Sequence, residues 1–384
     1  MGNYDFIIVG LGTAGSSTCM NLARRGYKVL GLDQYVPPHT MGSHHGLSRS
    51  VRRAYPEGNS YVPMALKSWE LWRQLEKDNG QQLLVKTGNL TLGPPDCPAL
   101  SGFLKSARAH QLPHQYLEAR EIRRHWPQLA PPDGFYAGLE EEAGIVFPEK
   151  GITAFLDEAR KAGAELHFGE RVEDWRAVNS SSVNVRTISS TYEAGRILIA
   201  AGAWAKKLLK LQSNVLQPKR VVVHWLATAP DKSYLLNRFP VNFWQVPVVN
   251  DSTFPDGYKE FYSLPSLEPN GQIKVAFHNG LSDCDPDTMS REVHIDETSS
   301  INEVISTYLP GLAGCPIHSN TCFYNLTPDK DFYLGKRPGS ENVFGVALAG
   351  HGFKFAPVLG ELLANLMLDL PSSIDTGMFS PDRF

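Results

Sequence analysis

The sequence predicts an α/β (α+β) protein in which a discontinuous nucleotide-binding domain is interleaved with a β-rich domain. Three observations predict it. A short apolar strand, a glycine-rich turn and a helix open the chain and lead into a second strand that ends in an acid. A strand, another glycine-rich turn and a helix close it, and the stretches between are rich in Val, Tyr, Phe and turn residues. At 384 residues the chain is too long for one small core and predicts two domains.

Tyr4-Asp5-Phe6-Ile7-Ile8-Val9 is a near-continuous apolar run, as expected of a strand buried on both faces. Gly10-Leu11-Gly12-Thr13-Ala14-Gly15 follows at once. A helical stretch then runs to Gly26, and Lys28 to Asp33 forms a second strand ending in a carboxylate 18 residues after Gly15. This is βαβ order with GxGxxG at the strand-to-helix junction. The glycines allow a tight turn, close approach of a pyrophosphate and close helix–strand packing, while Asp33 is placed to accept hydrogen bonds from a ribose. Tyr61 to Asp78 predicts an amphipathic helix with Pro63 at its start. Residues 86–145 read as Pro- and Gly-rich with short strand-like runs.

A helix is predicted from Ile152 to Ala162 and a strand over Glu165-Leu166-His167-Phe168. Arg196 to Trp204 reads as one buried strand ending in glycine. Residues 216–320 are strand-rich, with turns at Pro255-Asp256-Gly257 and Pro269-Asn270-Gly271. Near the end, Val343 to Ala349 reads as a strand and Ala356 to Leu363 as a helix. Gly350-His351-Gly352-Phe353-Lys354-Phe355 lies between them, and its lysine between aromatics reads as a buried cation facing a site.

Composition narrows the function. Apolar content of 42%, charged content of 20% and a net charge of −3 are ordinary and give no electrostatic case for nucleic acid or an anionic membrane. No apolar run is long enough for a membrane span, and the N-terminus has no signal-peptide pattern, so a cytoplasmic protein is expected. Five scattered cysteines, Cys19, Cys97, Cys284, Cys315 and Cys322, lack CxxC spacing and argue against a disulfide framework or a structural metal site. Two adjacent histidines and three arginines between Gly42 and Tyr55 read as a solvated basic loop or as a ligand-facing segment. The bracketing glycines and the nearby nucleotide unit favour a ligand-facing role for at least one arginine.

Set together, these motifs resemble the monomeric sarcosine oxidase and N-methyltryptophan oxidase family over essentially the whole chain. The resemblance rests on the N-terminal GxGxxG with Asp33, Pro37-Pro38-His39, Gly42-Ser43-His44-His45-Gly46, Arg49, Arg52, Ala54-Tyr55, Glu57-Gly58 and Tyr61-Val62-Pro63. It extends to Ala201-Gly202-Ala203-Trp204, Lys274 with His278, Cys322 with Tyr324, Pro328-Asp329, Asp331-Phe332 and the terminal GHGFKF. It implies an FAD-binding Rossmann-like domain of the D-amino-acid-oxidase type over residues 1–86, 146–216 and 321–384. A β-rich substrate domain is implied over 87–145 and 217–320.

The implied activity is FAD-dependent oxidation of a secondary amine, above all an N-methyl amino acid such as sarcosine or N-methyl-L-tryptophan. The imine is hydrolysed to amino acid and formaldehyde, and O2 is reduced to H2O2. The alternative is a cyclic imino acid oxidase, or a dehydrogenase of the same fold with another electron acceptor. Partners are a small-molecule amino acid and O2, with no nucleic acid or membrane, and the protein is expected to be a monomer.

The resemblance also assigns residues. Cys322 would carry covalent FAD through an 8α-S-cysteinyl link. Cys315 is a rival, but it lies in the turn-like Ala313-Gly314-Cys315-Pro316, whereas Cys322 lies in the strand-like Thr321-Cys322-Phe323-Tyr324. Arg52 and Lys354 would hold the substrate carboxylate. Arg49 and His45 would lie near the flavin ring, and Lys274 would activate oxygen at its other face. Tyr262, His278 and Tyr324 would line the substrate cavity. Cofactor contacts are expected from Gly10, Gly12, Thr13, Ala14, Gly15, Asp33, Gln34, Ser43, His44, Arg49, Val172, Gly202, Trp204, Cys322, Gly350, Gly352, Phe353 and Lys354; no metal is expected.

Three departures from the family pattern bear on the substrate. Leu47-Ser48 stands where Asp-Thr is common, and Arg53 where histidine is usual. The segment between Pro247 and Tyr262, with Asn250, Asp251, Phe254 and Tyr258, is longer than in short-hairpin members and is placed to reshape the cavity entrance.

Overall fold

The computed structural model describes residues 3–228, 232–268, 271–312, 314 and 316–384. Cys315 and the predicted turn residues Pro269 and Asn270 lie outside them.

Asn3–Val9 forms the central parallel strand of an eight-stranded sheet, between Val29–Asp33 and Thr191–Ile199. Its side chains alternate between two cores. Phe6 and Ile8 face a helical layer, while Ile7 and Val9 face the other side of the sheet. Burial on both faces is why the strand reads as continuously apolar. The helical layer holds Thr13–Arg24, Val62–Asn79, Pro148–Lys161 and Ala356–Met367. Thr191–Ile199 pairs with Ser182–Thr187 along its first half and with Val343–Ala347 along its second, which brings the C-terminal motif beside the N-terminal one.

A nine-stranded, mainly antiparallel sheet forms the second layer. One of its faces packs on Ile301, Val304 and Ile305 of the helix Ile295–Tyr308, through Leu90, Leu92, Trp244, Phe261, Ile273 and Val275. Its opposite face is turned toward the glycine-rich turns of the first sheet. A row of register partners crosses that face: Glu140, Asn89, Val241, Leu264 and Lys274. A three-stranded sheet of Arg49–Val51, Gly144–Val146 and Leu84–Lys86 bridges the two layers.

Several local expectations need correction. The strand expected to run through Trp204 stops at Ile199, and Gly202–Trp204 is a 3-10 turn, because Gly202 takes φ +54 and turns the chain toward the cavity. The terminal strand ends at Ala347 rather than Ala349; Ala349 and Gly350 both take positive φ and reverse the chain. Helices Pro98–Ala109, Ala119–His125 and Ile295–Tyr308 lie in stretches read as strand-rich or irregular. Two of them start at capping boxes built on Glu118/Glu121 and His294/Glu297, without the usual serine or threonine cap.

Candidate active site

The two sheets enclose a cavity of about 420 Å3. Its wall begins at Val9 and Gly10, where the first strand stops. Three glycines shape this corner. Gly10 takes φ +91, and a Cβ there would lie 2.6 Å from the carbonyl oxygen of Ala200. A Cβ on Gly15 would fall 1.8 Å from the Gly10 oxygen, so Gly15 sits behind the turn and lets helix and strand close up. A Cβ on Gly12 would crowd the His44 ring at 3.2 Å. The helix that starts at Thr13 has no side-chain cap and no acid in its first turn, and Gly12, Thr13 and Ala14 all line the cavity. Its free N–H groups and positive dipole end therefore face the space. Asp33 is buried at the end of the neighbouring strand, where it accepts the Leu11 N–H at 2.8 Å and the Tyr35 N–H at 2.9 Å.

The basic segment is not a solvated loop. His44, His45 and Arg52 are buried. The loop wraps around the Arg49 guanidinium, which donates to the carbonyls of Ser43 and Ser48, each at 2.9 Å, and of His45. Carbonyls leave its charge uncancelled. Glu149 holds the loop from outside by accepting the Gly46 and Leu47 N–H groups at 2.7 and 3.0 Å. The His45 ring meets the Thr321 carbonyl at 3.1 Å; burial, then Arg49, push it down to about 3, so it is neutral. Burial lowers His44 too.

Arg52 gives one terminal nitrogen to both oxygens of Glu57, at 2.7 and 2.9 Å, and its Nε has no protein partner. Its plane lies near the rings of Tyr55 and Phe243, 5.1 and 5.7 Å to the centroids. Burial raises Glu57, but Arg52 together with His351, Lys354 and His278 outweighs it and brings the carboxyl to about 2. Glu140, fully buried, accepts the Arg53 N–H, the Arg53 Nε–H and the Ala54 N–H, and so fixes the backbone on the far side of Arg52.

Lys354 lies in a single 3-10 turn, Phe353–Phe355, that feeds the last helix. Its carbonyl accepts from Trp72 Nε1 at 2.9 Å and from Ser68, and its ammonium donates to the His351 carbonyl at 2.8 Å. Burial and the nearby Arg52 lower it to about 7. Lys274 Nζ donates to the carbonyls of Gly46, at 3.0 Å, and Ser48. Burial and Arg49 hold it well below the ordinary lysine range. On the same sheet face, Tyr262 is pushed up to about 12 by burial. His278, brought down to about 4 by burial, meets Tyr324 Oη at 3.3 Å.

Of the four free cysteines described, Cys322 alone lines the cavity. Burial raises its thiol while Arg49, Lys274 and Arg291 pull it the other way. The cavity wall takes in all the sequence-predicted site residues except Gly15 and His45, which stand just behind it. The longer segment does not reach it: no residue of 248–257 lines the cavity. Phe254 packs instead toward Gly280, and Asp256 pairs with Lys330 at 2.9 Å.

The wall also holds residues that the sequence reading missed: Ser50, Asn89, Phe243 and His351. His351 Nδ1 lies 2.6 Å from Tyr55 Oη. Its place inside GHGFKF was the one available signal; for the others, strand alternation gives none.

Comparison with known proteins places this geometry. A family model described as FAD dependent oxidoreductase (DAO) matches residues 5–366. The chain is 36% identical to a monomeric sarcosine oxidase of Streptomyces avermitilis, covering 99% of this chain and 97% of that protein. It is 34% identical to an N-methyl-L-tryptophan oxidase of Salmonella dublin, covering 99% of each. Among solved structures, NikD, an amino acid oxidase essential for nikkomycin biosynthesis, superposes with a TM-score of 0.86 at 22% identity over 99% of this chain and 98% of that one. Glycine oxidase from Geobacillus kaustophilus gives a TM-score of 0.80 at 22% identity over 100% of both. At that identity the two structures speak for the fold.

Proposed function

The chain belongs to the FAD-dependent oxidoreductases of the DAO type, alongside the monomeric sarcosine and N-methyl-L-tryptophan oxidases, and from that premise we propose that it oxidises N-methyl amino acids. The products would be the demethylated amino acid, formaldehyde and hydrogen peroxide. The observation that carries this reading is the pair of buried cations Arg52 and Lys354 on the wall of a cavity that begins at a dinucleotide turn.

The residues fit FAD. Gly10, Gly12 and Gly15 form a tight cradle in which a Cβ would collide with Ala200, His44 or Gly10, and the uncapped helix start at Thr13 suits a pyrophosphate. Asp33 retains acceptor capacity for a ribose beyond its two backbone bonds. Cys322 would hold the cofactor covalently, with the helix start and Asp33 fixing its other end. When bound, FAD supplies the acceptor for the hydrogen and electron pair lost from carbon beside the amine nitrogen, and the route of those electrons to oxygen.

The chain's own residues bind, orient and exclude water. Arg52 offers its unpartnered Nε, and a terminal nitrogen now on Glu57, to the substrate carboxylate; Lys354 adds a point charge. An arriving carboxylate favours the proton on Lys354 Nζ that burial and Arg52 disfavour. Phe243, Tyr262 and Tyr324 form an aromatic wall that keeps water from the amine. His278 is neutral at neutral pH and can accept a hydrogen bond on its ring. Arg49 and Lys274 provide fixed cations beside the space left for the reacting ring, where negative charge develops. We place the protein as a cytoplasmic monomer acting on a small-molecule amine and O2. No helix among the described residues is long and apolar enough to cross a membrane.

A screen of N-methyl amino acids and cyclic imino acids, read as peroxide under air, tests the reading. Peroxide from N-methyl amino acids is expected. Anaerobic bleaching of the flavin without peroxide under air would replace the oxidase with a dehydrogenase. Turnover confined to cyclic imino acids would overturn the substrate class.

A further inference from the structure

We propose that Asn89 and Ser50 form a polar subsite that selects substrates whose side chain carries a neutral hydrogen-bonding group, a hydroxyl or a carboxamide. The inference rests on the amino acid reading of this cavity and names the substrate class within it.

Asn89 is fully buried, lines the cavity, and has neither its amide nitrogen nor its amide oxygen paired with any described protein group. Ser50 lines the same cavity, and its buried hydroxyl is likewise unpartnered. Buried polar side chains in folded proteins are almost always paired, so an amide with both ends free beside a ligand space points to a partner brought by the ligand.

The surroundings explain why Asn89 finds no protein partner. Asn89 sits in register between Val241 and Glu140. Val241 has no polar side chain to offer, and the Glu140 carboxylate is already engaged by Arg53 and the Ala54 N–H. Leu90 and Leu92, on the opposite face of the strand, are committed to the apolar core. Ser50 is the middle residue of the strand Arg49–Val51 that leads to Arg52, two residues before the proposed carboxylate-binding arginine.

The same neighbours set the charge of the ligand group. Glu140 is a buried carboxylate one strand away on the same sheet face, so a second carboxylate brought to Asn89 would be repelled. A neutral group that both donates and accepts matches an amide and a hydroxyl. Hydrocarbon side chains would leave both unpaired, and rejection of that kind is how polar sites discriminate.

The test uses the intact flavoprotein. Wild-type affinity is measured by calorimetry for carboxylates in which sulfur replaces the amine nitrogen, with a hydroxyl- or carboxamide-bearing tail or its hydrocarbon isostere. The polar tail is expected to bind roughly tenfold or more tightly. In turnover, Asn89→Leu is expected to lower the ratio of kcat/KM for polar over hydrocarbon N-methyl amino acids by about tenfold to a hundredfold, and Ser50→Ala by a smaller factor in the same direction. If Asn89→Leu does not retain flavin, the wild-type affinities and Ser50→Ala still decide.

Equal affinity for the two tails, with peroxide still formed from N-methyl amino acids, overturns the subsite and leaves the oxidase reading standing. A clear tail preference with no peroxide from any amine supports the subsite and overturns the oxidase reading.

Discussion

Lys274 Nζ donates to the carbonyl of Gly46 at 3.0 Å, joining the middle of the nine-stranded sheet to a loop 228 residues earlier in the chain. Both contacts of this ammonium are carbonyls, Gly46 and Ser48, and the Arg49 charge acts on it more strongly than the opposing charge of Glu149. An ammonium whose direct partners are carbonyls rather than a carboxylate, on the cavity wall, suits the stabilisation of negative charge that forms only during reaction.

On the proposed reading, Lys274→Met removes a charge used after the amine has been oxidised. Stopped-flow mixing of reduced enzyme with oxygen is expected to show reoxidation slowed by roughly a hundredfold or more, with a much smaller effect on anaerobic reduction by substrate. Equal slowing of both half-reactions would remove the assigned role.

Cys322 is the one described free cysteine on the cavity wall, so it is the thiol expected to tether the cofactor. Acid-precipitated wild-type protein should stay yellow, and Cys322→Ser should release its colour to the supernatant. Yellow supernatant from the wild type would refute the linkage.

The carboxylate clamp predicts a pH dependence with a definite sign. Lys354 is brought down to about 7 in the folded protein, so its ammonium is present below that pH and lost above it. Affinity for a carboxylate ligand should be highest below about pH 7 and fall as pH rises through it. Binding itself favours the proton and moves the inflection upward in the complex. Lys354→Met should abolish this limb, and Arg52→Ala should weaken binding across the whole range. An unchanged pH profile in Lys354→Met would contradict the clamp.

Glu140 accepts from three donors on Arg53 and Ala54, including an ion pair with Arg53 at 3.0 Å, while wholly buried. Glu140→Ala leaves the guanidinium uncompensated and should cost roughly 3–5 kcal/mol of stability, read as a shift in the denaturant midpoint. It should also raise KM, because the backbone that follows the Arg52 anchor loosens. An unchanged midpoint would show that the pair contributes nothing.

Gly15→Ala would place a methyl 1.8 Å from the Gly10 carbonyl oxygen. Main-chain atoms cannot give way as a side chain can, so the turn must open. Purified Gly15→Ala should carry markedly less flavin, measured by its absorbance ratio. Full flavin content would contradict the cradle described for this turn.

What the sequence displayed was local chemistry. Gly10, Gly12 and Gly15 are legible because a tight turn against a strand needs glycine whatever the rest of the chain does. The burial of Lys274 was not legible. Ile273 and Val275 face the helical core while Lys274 and Ala276 face the cavity side, so both faces of the strand are buried and no alternation appears. Asn89 alternates with Leu90 and Leu92 in the pattern of a half-solvated strand, yet it faces the cavity rather than solvent. The helix Ile295–Tyr308 was hidden by its Thr, Ser and Asn content and its histidine cap. The ion pairs of Glu57 and Glu140 depend on tertiary packing.

The most direct test of the central claim is to incubate the purified protein with N-methyl amino acids under air and measure peroxide and formaldehyde together. The account predicts both, in equal amounts, with the demethylated amino acid as the third product. Neither product from any N-methyl amino acid, by a protein carrying its full flavin, would contradict it.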